Sequence, residues 1–171
     1  MAIDSPIGTL VAMANDAGII FLEFEDGADL ERALVREANG DAEIPAEATW
    51  YNEAQGHLER LAEELGDYFA GRLREFSVPA VPRGTPFEMK AWEYLRSIPF
   101  GQTRSYGEQA RAVGSPGAAR AVGRANGRNS IAIVIPCHRV IGADGSLTGF
   151  GGGLDRKRWL IEHERNVLGR G

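Results

Sequence analysis

The chain carries one cysteine in 171 residues, and a single thiol cannot close an internal disulfide. A disulfide-stapled fold is therefore excluded, and an exposed thiol would keep its chemistry only in a reducing compartment. Nowhere do roughly 18 apolar residues run together, as a membrane-spanning helix requires. The opening MAIDSPIGTL also lacks the basic cluster and apolar stretch of an export signal. Internal repeats and low-complexity tracts are missing as well. The expectation is a soluble protein with no membrane partner, cytoplasmic, or nuclear if the source is eukaryotic.

What is present points to a folded chain with two unlike halves. Hydrophobic residues make up 43% of the sequence, enough for a core, and the length suits one large domain or two small ones. The net charge of −5 is unevenly placed. Residues 1–81 hold five arginines against 17 acids, a net of −12, whereas residues 82–171 hold 14 basic against seven acidic side chains, a net of +7. Such a split reads as an acidic scaffold joined to a basic working surface. The plainer alternative is an uneven surface with no charged partner.

Alternating apolar residues predict strands over 1–13 and 18–24 around the turn NDAG, Asn15 to Gly18. Residues 28–38 are weakly helical. Over 48–70, Leu58, Leu61, Leu65, Tyr68 and Phe69 recur at helical spacing, with Gly71 as the stop. Pro79, Pro82 and Pro86 in FSVPAVPRGTP then read as a linker, which puts the domain boundary near residue 82 and the domains at 1–81 and 82–171.

In the second half, Thr85, Pro86 and Glu88 spell a capping box with proline at the first helical position, and Phe87, Ala91, Trp92 and Leu95 line one face. Ser105 and Glu108 repeat the device in SYGEQARAVG. After a turn at SPG, AARAVGRANGR begins another helix, so the pair reads as helix-turn-helix. Between Arg104 and Arg128 lie five arginines and one acid. The second helix is built from Ala118, Ala119, Ala121, Val122 and Gly123, which leaves a low surface around Arg120. Small residues of this kind let another helix pack closely, or let a helix press a lone cation into a narrow groove. With the local arginines, the pattern points to DNA contact.

The apolar run IAIVI, residues 131–135, reads as a buried strand and leads through Pro136 into Cys137, His138 and Arg139. A lone cysteine is ordinarily an inert buried hydrophobe. A thiol with a pKa of about 8.5 is only some 3% ionised at pH 7, so a working nucleophile needs a base or positive field, and here an imidazole and a guanidinium follow at once. Neighbours on a regular strand face opposite ways, so His138 reaches Cys137 only if the chain turns after Pro136. The orienting acceptor for His138 would come from GLDRKRWLIEHER, where spacing leaves Glu162 and Glu164 open.

PCHRVIG at 136–142, RSYGEQA at 104–110, GAARAVGRANGRNSIAIVIPCHRV at 117–140 and GFGGGLDRKRWLIEHE at 149–164 resemble the O6-alkylguanine-DNA alkyltransferases. The resemblance is dense from about residue 84 to 165 and looser in the first half, in IDSPIGTL at 3–10 and YFAG at 68–71. It implies a mixed α/β (α+β) chain, with an N-terminal ribonuclease-H-like domain and a C-terminal winged helix-turn-helix-like domain. It also implies a single-turnover methyltransferase of DNA repair. An alkyl group on O6-alkylguanine, or on O4-alkylthymine, in double-stranded DNA would move irreversibly to Cys137 after base flipping. A relay from Glu164 to His138 and through a water would serve the thiol. Asn129 would be a hinge, Tyr106 would help rotate the nucleotide and aid departure of the guanine, and Arg120 would fill the vacated space. Ala119, Ala121, Arg104 and Arg128 would lie on DNA. Val140 would offer its carbonyl to guanine, and residues 149–153, with Phe150, Gly151 and Gly152, would wall the pocket.

Three departures bear on that transfer. Phe150 stands where tyrosine is frequent, Gly151 stands where some members have serine, and only His57 is left in the first half to bind the zinc that some members hold. Neither metal nor cofactor is expected, and a monomer is. The triple glycine at 151–153 lacks the surrounding pattern of a phosphate-binding turn. A thiol hydrolase would explain the Cys–His pair but not the arginine-bearing helices. A damage sensor without repair activity would have no use for Cys137.

Overall fold

The computed structural model describes residues 1–27 and 50–169, of which residues 50–52 are described by their backbone alone. The weak helix expected over 28–38 lies outside the described residues. An antiparallel sheet opens the chain, with strands β1 (Ala2–Ile3), β2 (Leu10–Asn15) and β3 (Gly18–Phe24) adjacent in that order. The strand expected over 1–13 is thus interrupted. The Ser5 hydroxyl donates to the Gly8 carbonyl at 2.5 Å, and Gly8 takes φ +117°, closing a turn between β1 and β2. The β2–β3 hairpin forms as the sequence suggests. Asn15 Oδ1 accepts from the backbone N–H groups of Ala17 and Gly18, and the register pairs Leu10 with Phe24.

Helix α1 (Trp50–Phe69) lies on β2 and β3 and buries Leu61, Leu65 and Tyr68 completely. The proline-rich linker is fastened to the sheet edge. Ile19 donates to the Pro79 carbonyl and Val81 donates back to the Ile19 carbonyl, both at 2.8 Å. Gly18, at φ +145°, allows this approach, because a Cβ there would come within 2.8 Å of the Pro79 Cβ.

Helix α2 (Pro86–Ser97) begins with the reciprocal Thr85–Glu88 capping box. A parallel two-stranded pair, β4 (Arg104–Ser105) and β5 (Val140–Ile141), brackets the helix-turn-helix. Its helices are α3 (Tyr106–Ala112), capped by Ser105 and Glu108, and α4 (Ala119–Gly127). A buried clip joins them. Gln109 and Asn126 exchange side-chain amide bonds at 3.0 and 2.8 Å, and the Gln109 amide also donates to the Ala91 carbonyl. The Trp92 indole N–H donates to the Ala125 carbonyl at 2.8 Å, which ties α2 to α4. Helix α5 (Leu154–Leu168) follows.

The apolar run 131–135 is not the strand its hydrophobicity suggested. Only Ile131 bridges to the sheet, opposite Leu22, and Ile133 adopts φ +70°. Asn129 causes the difference. Its Nδ2 donates to the Ile135 carbonyl at 2.8 Å while its Oδ1 accepts from the Ile131 N–H at 3.2 Å, so the run folds over this amide. All five side chains remain buried, in one core with Leu22, Leu61, Trp92 and Leu160. Gly18→Ala should lower unfolding stability by about 1–3 kcal/mol, through strain at positive φ and a clash with Pro79. Urea denaturation measures it, and an unchanged midpoint would show that the linker does not depend on this contact.

Candidate active site

Pro136, at ψ 65°, turns the chain out of the apolar run into a 3₁₀ turn, Cys137–Arg139. In that turn the Arg139 N–H donates to the Pro136 carbonyl at 3.0 Å. The required break after Pro136 is therefore present. Helix α5 supplies the acid: His138 Nε2 lies 2.8 Å from Glu164 Oε1, with both side chains almost wholly buried. Glu162 is exposed on the same helix.

A buried carboxylate beside Nε2 requires the proton to sit on that nitrogen, so Nδ1 is left as the acceptor. Among the described residues Nδ1 is buried and has no hydrogen-bond partner. Burial lowers the His138 pKa and the Glu164 interaction only partly offsets this, so the imidazole rests neutral. Burial alone would raise the Glu164 carboxyl, but the His138 hydrogen bond and the Arg139 guanidinium outweigh it and hold it well below its usual range.

Arg139 does not serve the thiol directly, contrary to its adjacency in sequence. Its Nε and Nη2 bond Glu164 at 3.0 and 2.9 Å, and its Nη1 donates to the Ile98 carbonyl at 2.6 Å. The thiol is also not the ready anion its neighbours suggested. Cys137 is 7% exposed, and burial raises its pKa to about 11. The Asn129 side chain and Lys157 favour the anion, whereas the charge of Glu23 opposes it.

Lys157 is the neighbour that sequence reasoning missed. It lies on α5 one helical turn into the segment, and its Nζ donates to the Thr148 carbonyl at 2.7 Å and reaches the Tyr106 hydroxyl at 3.4 Å. Burial lowers its pKa to about 8. Two helical turns separate it from Glu164, so a lysine sharing the helical face of Leu160, Ile161 and Glu164 was the available signal. Glu23, reaching over from β3, gave no such signal.

Tyr106 opens α3, and its hydroxyl donates to the Thr148 carbonyl at 2.8 Å. Burial raises its pKa. A Cβ at Gly123 would lie 3.7 Å from the Tyr106 ring, so the small residues of α4 serve packing on that side. Arg120 projects from the exposed side, flanked by half-buried Ala119 and Ala121. Arg128 pairs with Glu88 at 2.8 Å, and Arg104 bonds Gln102 Oε1 at 2.9 Å. Val140 is buried on β5, opposite Arg104. Phe150 packs edge-on to Phe24 at 6.4 Å. Gly152 is required there, since a Cβ would come within 2.9 Å of both rings, and Gly151 lies against the Glu23 carboxylate. Among the described residues no group of three His, Cys, Asp or Glu side chains could hold a metal, and no helix is long and apolar enough to cross a membrane.

Comparison with known proteins identifies the family. The profile of the 6-O-methylguanine DNA methyltransferase ribonuclease-like domain matches residues 2–81, and that of the DNA binding domain of the same proteins matches residues 86–166. The methylated-DNA–protein-cysteine methyltransferase of Mycolicibacterium paratuberculosis is 46% identical over 163 residues, covering 95% of this chain and 90% of the relative. The protein of the same description from Methanosarcina barkeri is 43% identical, covering 97% and 96%. The crystal structure of Mycobacterium tuberculosis OGT in complex with DNA superposes with a TM-score of 0.80 at 43% identity, covering 97% of this chain and 92% of that one. Matched along both halves and in three-dimensional shape, the chain belongs to the 6-O-methylguanine DNA methyltransferase family.

Proposed function

We propose that this chain repairs alkylated guanine in double-stranded DNA by moving the alkyl group irreversibly onto Cys137, once per molecule. The observation that carries the reading is the tight turn of Cys137 and His138, whose imidazole is bonded to Glu164 of α5, in a chain whose helix-turn-helix exposes Arg120 on its second helix. Residues 1–81 form the ribonuclease-like domain and residues 82–171 the domain that binds DNA and accepts the alkyl group. The protein acts as a cytoplasmic monomer without membrane contact, and sedimentation with and without DNA tests its stoichiometry.

Guanine O6 lies inside the duplex, so the nucleotide must be flipped out at a cost of about a few kcal/mol. Arg120 enters the gap from α4, with Ala119 and Ala121 letting the helix approach and Arg104 and Arg128 near the phosphates. Tyr106 contacts the everted base, Val140 offers a backbone carbonyl, and Phe150, Gly151 and Gly152 form the wall. Lys157 braces that wall through Thr148 and Tyr106. His138 Nδ1 takes the thiol proton through a water, with Glu164 stabilising the imidazolium and Asn129 holding the turn. The sulfur then attacks the alkyl carbon in line, a carbon–sulfur bond replacing the carbon–O6 bond. Tyr106 supplies the hydrogen-bond donor to the departing guanine. The thioether product resists hydrolysis, so the protein is consumed.

On duplex DNA carrying O6-methylguanine, one methyl should appear on the tryptic peptide containing Cys137, with repair stopping after one equivalent. Removal of the methyl by Cys137→Ala would refute the assignment. Arg120→Ala should slow repair in duplex far more than reaction with the free base, and equal losses would exclude the finger role. A thiol raised to about 11 is protonated at neutral pH. Carboxamidomethylation of the free protein should therefore climb with pH through the alkaline range, and a plateau already reached at neutral pH would contradict a resting thiol. Binding should weaken with salt, with a log–log slope of about −0.9 per phosphate neutralised.

A further inference from the structure

The segment IDSPIGTL at 3–10 has no part in the chemistry above, yet its turn meets the first turn of α5. The point of contact is Arg156. Its Nε donates to the Ile7 carbonyl at 2.6 Å, and its Nη1 lies 2.8 Å from Asp26 Oδ1, just beyond the end of β3. Its Nη2 donates to the other Asp26 oxygen at 3.1 Å. The guanidinium also lies over the Phe24 ring, 4.3 Å from its centroid. Gly8 makes room for this fork, because a Cβ at its φ of +117° would stand 2.6 Å from Nη2. The Arg156 side chain is 21% exposed, and its hydrogen bond holds the Asp26 carboxyl below its ordinary range.

One further bond of the same guanidinium faces the other way. Nη1 donates to the Gly152 carbonyl at 3.1 Å, in the loop 149–153 that precedes α5. Phe24, held under the guanidinium, meets Phe150 edge-on at 6.4 Å, and a Cβ on Gly152 would come within 2.5 Å of the Phe24 ring. Arg156 therefore ties the loop to the first half of the chain twice, by its bond to Gly152 and through the ring of Phe24. Lys157, the next residue, grips the start of the same loop through the carbonyls of Thr148 and Gly149, at 2.7 and 3.5 Å. Consecutive side chains of α5 thus clamp the loop at its two ends. The Lys157 end is held within the second half of the chain, the Arg156 end by Ile7, Phe24 and Asp26. A planar guanidinium holds carbonyl and carboxylate partners in one fixed arrangement, which an ammonium cannot do.

We propose that Arg156 is a positioning residue that determines specificity. By latching the Phe150–Gly152 wall to Ile7, Phe24 and Asp26, it fixes the width of the alkyl pocket, and through it the N-terminal domain sets which alkyl groups the site accepts. Arg156 touches no reacting atom. A wall held at both ends presents one shape to the everted base, which favours a small group over a bulkier one. Releasing one end lets Phe150 swing away, so a larger group is admitted while a small one is held less well. The inference rests on the loop being the wall of the alkyl pocket and on Cys137 being the acceptor.

The test gives the whole chain an excess of two duplexes in equal amounts, one carrying O6-methylguanine and the other O6-benzylguanine, and weighs the alkyl groups on the Cys137 peptide. The ratio of benzyl to methyl is independent of how much of the protein is folded. In Arg156→Lys, which keeps the charge and loses the fork, that ratio should rise about three- to tenfold over the wild type. Asp26→Asn, outside α5, should raise it by less, because Ile7 and Gly152 still hold the guanidinium. Gly18→Ala, which weakens the same domain at the opposite end of β3 from Phe24, should melt earlier and keep the wild-type ratio. An unchanged or lowered ratio in Arg156→Lys, or a rise matched by Gly18→Ala, overturns the role of Arg156. If Arg156→Lys loses its fold, an unchanged ratio in Asp26→Asn does the same. Absence of both alkyl groups from Cys137 in the wild type would instead defeat the underlying assignment of the nucleophile.

Discussion

One buried carboxylate holds this structure together at its working end. Glu164 is 1% exposed and accepts hydrogen bonds from Tyr68 on α1, from the Gly101 backbone after α2, and from His138 and Arg139 on the reactive turn. Removing a charge from water costs several kcal/mol, and the doubly bonded Arg139 guanidinium offsets that cost by neutralising it in place. The arrangement cannot be dismantled piecemeal, because loss of the carboxylate would leave the Arg139 charge buried without a counter-charge. The group that orients the imidazole is therefore also the group that fastens the reactive turn to both halves of the chain.

The same burial sets the character of the nucleophile. A sulfur in a dry site is more stable as the thiol, and the nearby charges only partly offset each other, Lys157 favouring the anion and Glu23 opposing it. In the proposed reaction that proton passes to His138.

The helix-turn-helix side obeys simpler rules. Capping boxes at Thr85 and Ser105 start α2 and α3, and the Gln109–Asn126 amide pair locks α3 against α4 with every polar atom satisfied by its partner or by the backbone. Because α4 is built from alanine and glycine, it presents one thin face to Tyr106 and another to solvent, with Arg120 standing above the latter.

By itself the sequence determined what is local. Cap residues, turn glycines and 3.6-residue spacing act within a few positions, so the hairpin, α1, α2 and the helix-turn-helix pair are written in adjacent letters, as is the thiol beside its imidazole. Tertiary structure decided the rest. Hydrophobicity marked residues 131–135 as buried, but only the Asn129 amide, bonding both ends of the run, turned it from a strand into a fold-back. Arg139 stands next to His138 in the chain yet serves Glu164, because a 3₁₀ turn and not a strand sets its direction. The positions of Lys157, Tyr68 and Glu23 around the centre arise from helices and a sheet meeting across up to 114 residues of chain between Glu23 and Cys137. Electrostatic interaction depends on distance through space, which no spacing along the sequence encodes.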